Sequence, residues 1–203
     1  MSRAGISRED VRRTNKEFYS LRDRTPTIYE LPAMHMLATS GQEERDIYRM
    51  YDYPGIWTIG RFINRVKVYT TRELGKNFSR MPIEVEWGDG AEYRAWMWVP
   101  DYITQDIYES TMADLLVKFD RAVPNVSLTK VLPRKCAQLL HIGPYEFIDS
   151  TREQLLERLR SQGYGLVGRS QEIYMNHPHC NPPEKLNILI RQEVESLTRP
   201  ASL

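Results

Sequence analysis

Glu172 and Tyr174 stand two residues apart in the stretch SQEIYMN, 170–176. In an extended chain that spacing puts both side chains on one face, opposite Ile173 and Met175. A carboxylate beside a phenol has two uses if aromatic walls shield it from water. Stripped of hydration, it attracts a cation or a proton; aimed at a bound molecule, it serves as general base or acid toward water and substrate. The plain alternative is a wet face on which Glu172 is a solubilising charge.

Aromatic side chains that could wall such a site recur along the chain. In EYRAWMWV, 92–99, Trp96 and Trp98 alternate with Ala95, Met97 and Val99, so both tryptophans leave the strand on one side. In PIEVEW, 82–87, Ile83, Val85 and Trp87 point one way and Glu84 and Glu86 the other. A two-layer domain covers one face of its sheet, so these rows cannot all be core beneath a helix. Tyr53 and Trp57 are spaced i, i+4 on a predicted helix and share a face, where they either wall a pocket or pack helix onto sheet. Tyr145 follows Gly143-Pro144 where strand turns to helix, and either rims a groove or shapes the turn.

Other reactive residues carry less. His177, His179 and Cys180 lie within one loop but lack a clear fourth ligand and fall short of zinc spacings, so no metal site is expected. His141 ends a strand and reads as a hydrogen-bonded structural residue. Cys136 sits in an apolar strand with nothing nearby to activate its thiol. The chain has no GxxxxGK loop, no GxSxG elbow and no HExxH, which leaves nucleotide, serine-hydrolase and zinc-protease readings without anchors and predicts no cofactor.

The elements that must position these residues form one pattern, written twice. TIYELPAMHMLATSG, 27–41, and SLTKVLPRKCAQLLHIG, 127–143, both read as strands with an internal Leu-Pro pair, Leu31-Pro32 and Leu132-Pro133, and a closing glycine. A helix follows each. The first begins near Tyr53 to Gly55 and runs through Ile56, Ile59, Phe62, Ile63 and Val66; the second is capped by Ser150 with Glu153, carries Leu155, Leu156 and Leu159, and stops at Gly163. Two strands complete each half, 82–87 with 92–99 and 170–176 with 185–194; the first pair is joined by Gly88-Asp89-Gly90. The pattern predicts an α+β fold of duplicated strand-helix-strand-strand modules, about 27–100 and 126–194, forming a concave antiparallel sheet with helices on one face. A connecting helix is expected over about 103–119, and residues 1–26 are expected as an N-terminal helical extension, with the helix over 7–24, ahead of a domain spanning 27–196.

A formal charge of +1, from 28 basic and 27 acidic residues, gives no global field to draw nucleic acid or an anionic membrane, so neither partner is expected. The opening MSRAGISRED lacks the apolar core of a signal peptide, and no run approaches the roughly 20 apolar residues of a membrane span. Two cysteines fit a reducing compartment, and a cytoplasmic monomer or weak dimer is expected.

HIGPYEFIDSTREQLLERLRSQGYG, 141–165, with EIYMNHP, 172–178, PPEKL, 182–186, and ILIRQEV, 188–194, closely resembles the C-terminal half of GyrI-like small-molecule-binding proteins. TIYELPAMHMLATSG and WMWVPDYIT, 96–104, are similar to parts of the first half, so the resemblance covers residues 27–194; the glycine-rich turn after the first strand is reduced to Ser40-Gly41-Gln42. The resemblance implies a ligand groove between the halves with an acidic residue, matching Glu172, at its floor. It implies binding of bulky aromatic, hydrophobic and often cationic small molecules such as drugs, toxins and dyes. Glu172, Tyr174, Tyr53, Trp57, Trp87, Trp96, Trp98 and Tyr145 are then the candidate ligand residues. The family also includes hydrolases that open a cyclopropane ring of DNA-alkylating natural products; in that role Glu172 would activate water and Tyr174 would hold a substrate carbonyl.

Overall fold

The computed structural model describes residues 8–10, 17–19, 21–22 and 24–197. The predicted long first strand is two strands, β2 (Thr27–Leu31) and β3 (Met34–Gln42), and its repeat is likewise β7 (Ser127–Val131) and β8 (Arg134–Ile142). Proline has no N–H to give a ladder, so Pro32 and Pro133 each end a strand. β2 pairs with β8, Thr27 opposite Gln138 to Leu31 opposite Arg134, and β3 pairs with β7, Met34 opposite Val131 to Ala38 opposite Ser127. That register runs through without a slip and sets Pro32 opposite Pro133. Each half therefore gives the first piece of its opening strand to the other half.

The remaining strands are β5 (Glu84–Trp87), β6 (Glu92–Trp98), β9 (Tyr164–Tyr174) and β10 (Asn187–Ser196), and the eight-stranded order is β2-β8-β10-β9-β5-β6-β3-β7, antiparallel at every ladder. The halves also meet at β5 and β9, where Val85 lies opposite Glu172 and Glu84 opposite Ile173. The sheet is open, with helices packed on one face.

α1 (Pro54–Glu73) buries Ile56, Ile59, Phe62, Ile63 and Val66, with Pro54 in its first turn, where a missing N–H costs nothing. It starts hard against β3: a Cβ on Gly55 would come within 2.2 Å of the Thr39 hydroxyl. α2 (Gln105–Lys118) is the connecting helix, capped by the Thr104 hydroxyl accepting from the Ile107 N–H. α3 (Ile148–Ser161) packs on β8 and β9 through Ile148, Leu155 and Leu159. It begins before the expected cap, so Ser150 and Glu153 lie within the helix. A 3-10 turn over Tyr145–Phe147 leads into it, and burial of Ile148 fixes the earlier start. Gly163, at φ +77°, ends it in the left-handed conformation that favours glycine.

Much of the helix expected over 7–24 falls outside the described residues. Of those described, Arg8–Glu9 form β1, paired in parallel with β4 (Asn77–Phe78), and Phe18 and Tyr19 are buried. They sit on the sheet face away from the helices, over an ion pair that is almost wholly buried. Arg191 Nη1 donates to Glu84 Oε2 at 2.9 Å, Arg191 Nη2 to the Phe18 carbonyl at 2.8 Å, Arg191 Nε to Gln138 Oε1 at 2.7 Å, and the Tyr19 hydroxyl to Glu84 Oε1 at 2.8 Å. Removing one partner of a buried pair strands the other charge in low dielectric. Glu84→Ala should therefore destabilise the fold by about 3–5 kcal/mol in denaturant unfolding; a loss below about 1 kcal/mol would show that water reaches Arg191.

Candidate functional site

The strand registers decide which candidate residues can meet. Glu172 lies opposite Val85, so Glu172 and Tyr174 share the helix-side face with Val85 and Trp87. Trp96 lies opposite Glu84, and Glu84 opposite Ile173, so Trp96 and Trp98 stand on the other face, with Glu84. Trp96 borders a small cavity there with Met34, Met36, Glu84 and Gln171. The sheet thus separates Trp96 and Trp98 from Glu172.

Glu172 is fully buried and accepts hydrogen bonds on both oxygens. Oε2 accepts from the hydroxyls of Tyr174 at 2.6 Å and Tyr145 at 2.8 Å and from Trp87 Nε1 at 3.1 Å. Oε1 accepts from Arg45 Nη2 at 2.6 Å and from Arg152 Nη2. Trp87 Nε1 also reaches the Tyr174 hydroxyl at 3.2 Å. Two guanidiniums already hold one oxygen, and charge-assisted hydrogen bonds of this kind are the strong ones.

Each donor arrives on a different element. Tyr145 is presented by the Gly143-Pro144 turn, which His141 ties down through Nε2 to the Pro144 carbonyl at 3.1 Å and Nδ1 to the Thr151 hydroxyl at 2.8 Å. Gly143 takes φ +125°, a conformation a side chain would strain. Arg152 comes from the first turns of α3, where it also pairs with Asp149. Arg45 comes from the loop 43–53, between β3 and α1. Its Nε donates to the Tyr145 hydroxyl at 2.7 Å, and its guanidinium carbon lies 5.2 Å from the Tyr145 ring centre and 5.9 Å from that of Trp87.

Tyr53 supports that loop. Its hydroxyl donates to the Glu44 carbonyl and accepts from the Asp46 N–H at 3.0 Å, while its ring meets Trp87 edge-on at 6.4 Å. Ile47 and Met50 anchor the loop in the core, and Tyr51 stacks on His177 of the other half at 3.9 Å. Trp57 is not bonded to Glu172. It packs against Phe119 and borders a cavity shared with Tyr174.

Two cavities flank the cluster. One of about 330 Å³ reaches Glu172 and is bordered by Arg45, Trp87, Arg152, Leu156 and Leu166. The other, about 470 Å³, reaches Tyr174 and is bordered by Tyr51, Trp57, Met81, Met97, Met175 and His177. Both volumes fall in the range of small-molecule sites, about 300–1,000 Å³. Among the described residues no cluster of His, Cys, Asp and Glu could hold a metal ion, and no helix is long and apolar enough to cross a membrane.

Neither Arg45 nor Arg152 was singled out by the sequence reading. Both stand among other charged residues, EER and TREQ, and look like solvated surface. The unusual count of phenol, indole and carboxylate groups needing partners was the available signal.

Burial, and then the Glu172 charge, push the phenols of Tyr145 and Tyr174 well above the ordinary tyrosine value. Burial lowers the pKa of Arg45, but the Glu172 charge and Tyr145 outweigh it, and the guanidinium is held more firmly protonated. A phenol with a raised folded-state pKa keeps its proton where the unfolded chain has lost it. Its stabilisation is complete below the unfolded value of 10.0 and declines as pH rises above it. Tyr174→Phe should therefore flatten the alkaline fall in unfolding free energy, by up to about 1.4 kcal/mol per pH unit between about pH 10 and pH 11. Equal slopes in the two proteins would show that Tyr174 ionises freely.

No protein-family model matches the sequence, and no curated protein sequence does. The fold is similar to the crystal structure of a hydrolase from Listeria innocua, with a TM-score of 0.81 at 20% identity over 93% of this chain and 100% of that one. It is also similar to the EcmrR C-terminal domain, with a TM-score of 0.53 at 12% identity over 85% of this chain and 98% of that one. The likeness, at these identities, is one of fold.

Proposed function

We propose that this chain is a GyrI-like small-molecule-binding protein that takes up flat, hydrophobic, often cationic molecules against Glu172. The observation that carries this reading is a wholly buried carboxylate set among Trp87, Tyr145 and Tyr174 at the junction of the two halves, with a cavity on either side. The cavity beside Tyr174 supplies stacking area from Tyr51 and Trp57 and adaptable contact from Met81, Met97 and Met175. Apolar contact imposes little direction, which suits ligands of varied structure.

The test is fluorescence titration with a flat aromatic cation. Binding should quench tryptophan emission, and Glu172→Gln should weaken it by roughly tenfold or more, the cost of one charge-assisted contact. Unchanged affinity in that variant would remove Glu172 from the site.

A second reading is hydrolysis at the same place. It is favoured by the carboxylate and two phenols converging within hydrogen-bond distance, and by the likeness of fold to a protein described as a hydrolase. Glu172 would take a proton from water as the water oxygen attacks a strained cyclopropane carbon, while the electron pair of the breaking ring bond passes to a conjugated carbonyl held by Tyr174; the resulting enolate then takes up a proton and Glu172 gives up its own. Incubation with a cyclopropane-bearing alkylator should then yield a product heavier by one water, and Glu172→Gln should not form it. Uptake without that product would leave binding alone.

A further inference from the structure

We infer that Arg45 is a built-in occupant of the ligand position, and that the site's preferred external ligand carries a planar guanidinium or amidinium cation on an apolar body. This rests on the reading of the Glu172 cluster as the binding site. A receptor for such a cation needs a carboxylate within hydrogen-bond reach and aromatic rings within about 6 Å of the charge. Arg45 already has both. Its Nη2 lies 2.6 Å from Glu172 Oε1 and its Nε 2.7 Å from the Tyr145 hydroxyl. The rings of Tyr145 and Trp87 lie 5.2 and 5.9 Å from its guanidinium carbon.

Arg45 is the removable member of the cluster. Arg152 is fixed on α3 and shared with Asp149, whereas Arg45 is on a loop and its side chain is 33% exposed. Among the described residues Glu172 is the only acidic group that pairs with Arg45. When Arg45 leaves, Glu172 keeps Arg152, Tyr145, Tyr174 and Trp87, so the carboxylate is not stranded. The cavity that Arg45 borders, about 330 Å³, is lined by Trp87, Leu156 and Leu166 together with the polar Asp89, Ser170 and Gln192, and offers space for a body attached to the cation. Arg152 on the same oxygen is no bar, since the structure already seats a second guanidinium beside it.

An internal competitor lowers apparent affinity by the fraction of time that it occupies the site. Deleting Arg45 should therefore strengthen binding of a cation that replaces it, which is the reverse of what losing a contact residue does. Phenylguanidinium is titrated against the wild type, Arg45→Ala, and Arg45→Ala combined with Glu172→Gln, followed by tryptophan fluorescence and calorimetry. Arg45→Ala should bind about tenfold or more tightly than the wild type, and the double variant should lose that gain. Arg45→Gln, which keeps bulk and a hydrogen bond on the loop, should show the same gain if the alanine variant folds poorly.

Equal or weaker binding in both Arg45 variants overturns the inference. If a flat aromatic cation without a guanidinium still binds to the wild type and to Arg45→Ala in that case, and binds more weakly to the double variant, the Glu172 site stands and only the role of Arg45 falls. If neither probe binds to any of them, both readings fall.

Discussion

A carboxylate sealed from water governs the helix-side architecture of this protein. Transfer of an isolated ionised group to the interior is prohibitive, and it is tolerated when hydrogen bonds and opposite charge replace hydration. Glu172 receives that replacement from five side chains, carried by the loop 43–53, β5, the turn before α3, α3 and β9 itself. Those segments belong to both halves. The charge thus works as a registration point: loop and helix must come to one place, within hydrogen-bond tolerance, for the carboxylate to be buried at all.

A second buried carboxylate, Glu84, does the same on the opposite face. There the partners are Arg191 and Tyr19, and the hydrogen bond from Arg191 to the Phe18 carbonyl brings an N-terminal segment onto the sheet. Glu84 lies opposite Ile173, the neighbour of Glu172, so two charges of like sign are buried on adjacent strands but on opposite sides of the sheet. Glu84 is matched by Arg191 and Glu172 by Arg45 and Arg152, and the intervening backbone keeps the two networks separate.

Most of the architecture was legible from pattern. Alternation located β2, β3, β5, β6, β7, β8 and β10 but only the end of β9, which begins at Tyr164; apolar spacing located α1, α2 and α3, and the Leu-Pro pairs marked where the two opening strands break. What pattern could not show was the exchange of β2 and β7, because a proline break states that a ladder stops, not where the chain goes next. The pairing of Trp87 with Glu172 followed from strand alternation only once the register of β5 against β9 was known. A slip of one residue would have put Trp96 there instead. Arg45 was illegible for a different reason: a guanidinium on a loop reaches its partner through tertiary placement, and nothing local marks it off from the charged residues beside it. The cap expected at Ser150 was a correct local signal overridden by the burial of Ile148.

The crossed pairing of β2 with β8 and of β3 with β7 has a bearing on what a half of this molecule is. Neither module contains the complement to its own opening strand, so a severed half would carry an orphan ribbon and a vacant sheet margin. Two such pieces meeting in solution would have to pay for their encounter, whereas the tether through Gln105–Lys118 makes the embrace intramolecular at high effective concentration. The helix between the repeats is thus what lets a reciprocal arm exchange, ordinarily the business of a twofold dimer, be completed within one polypeptide.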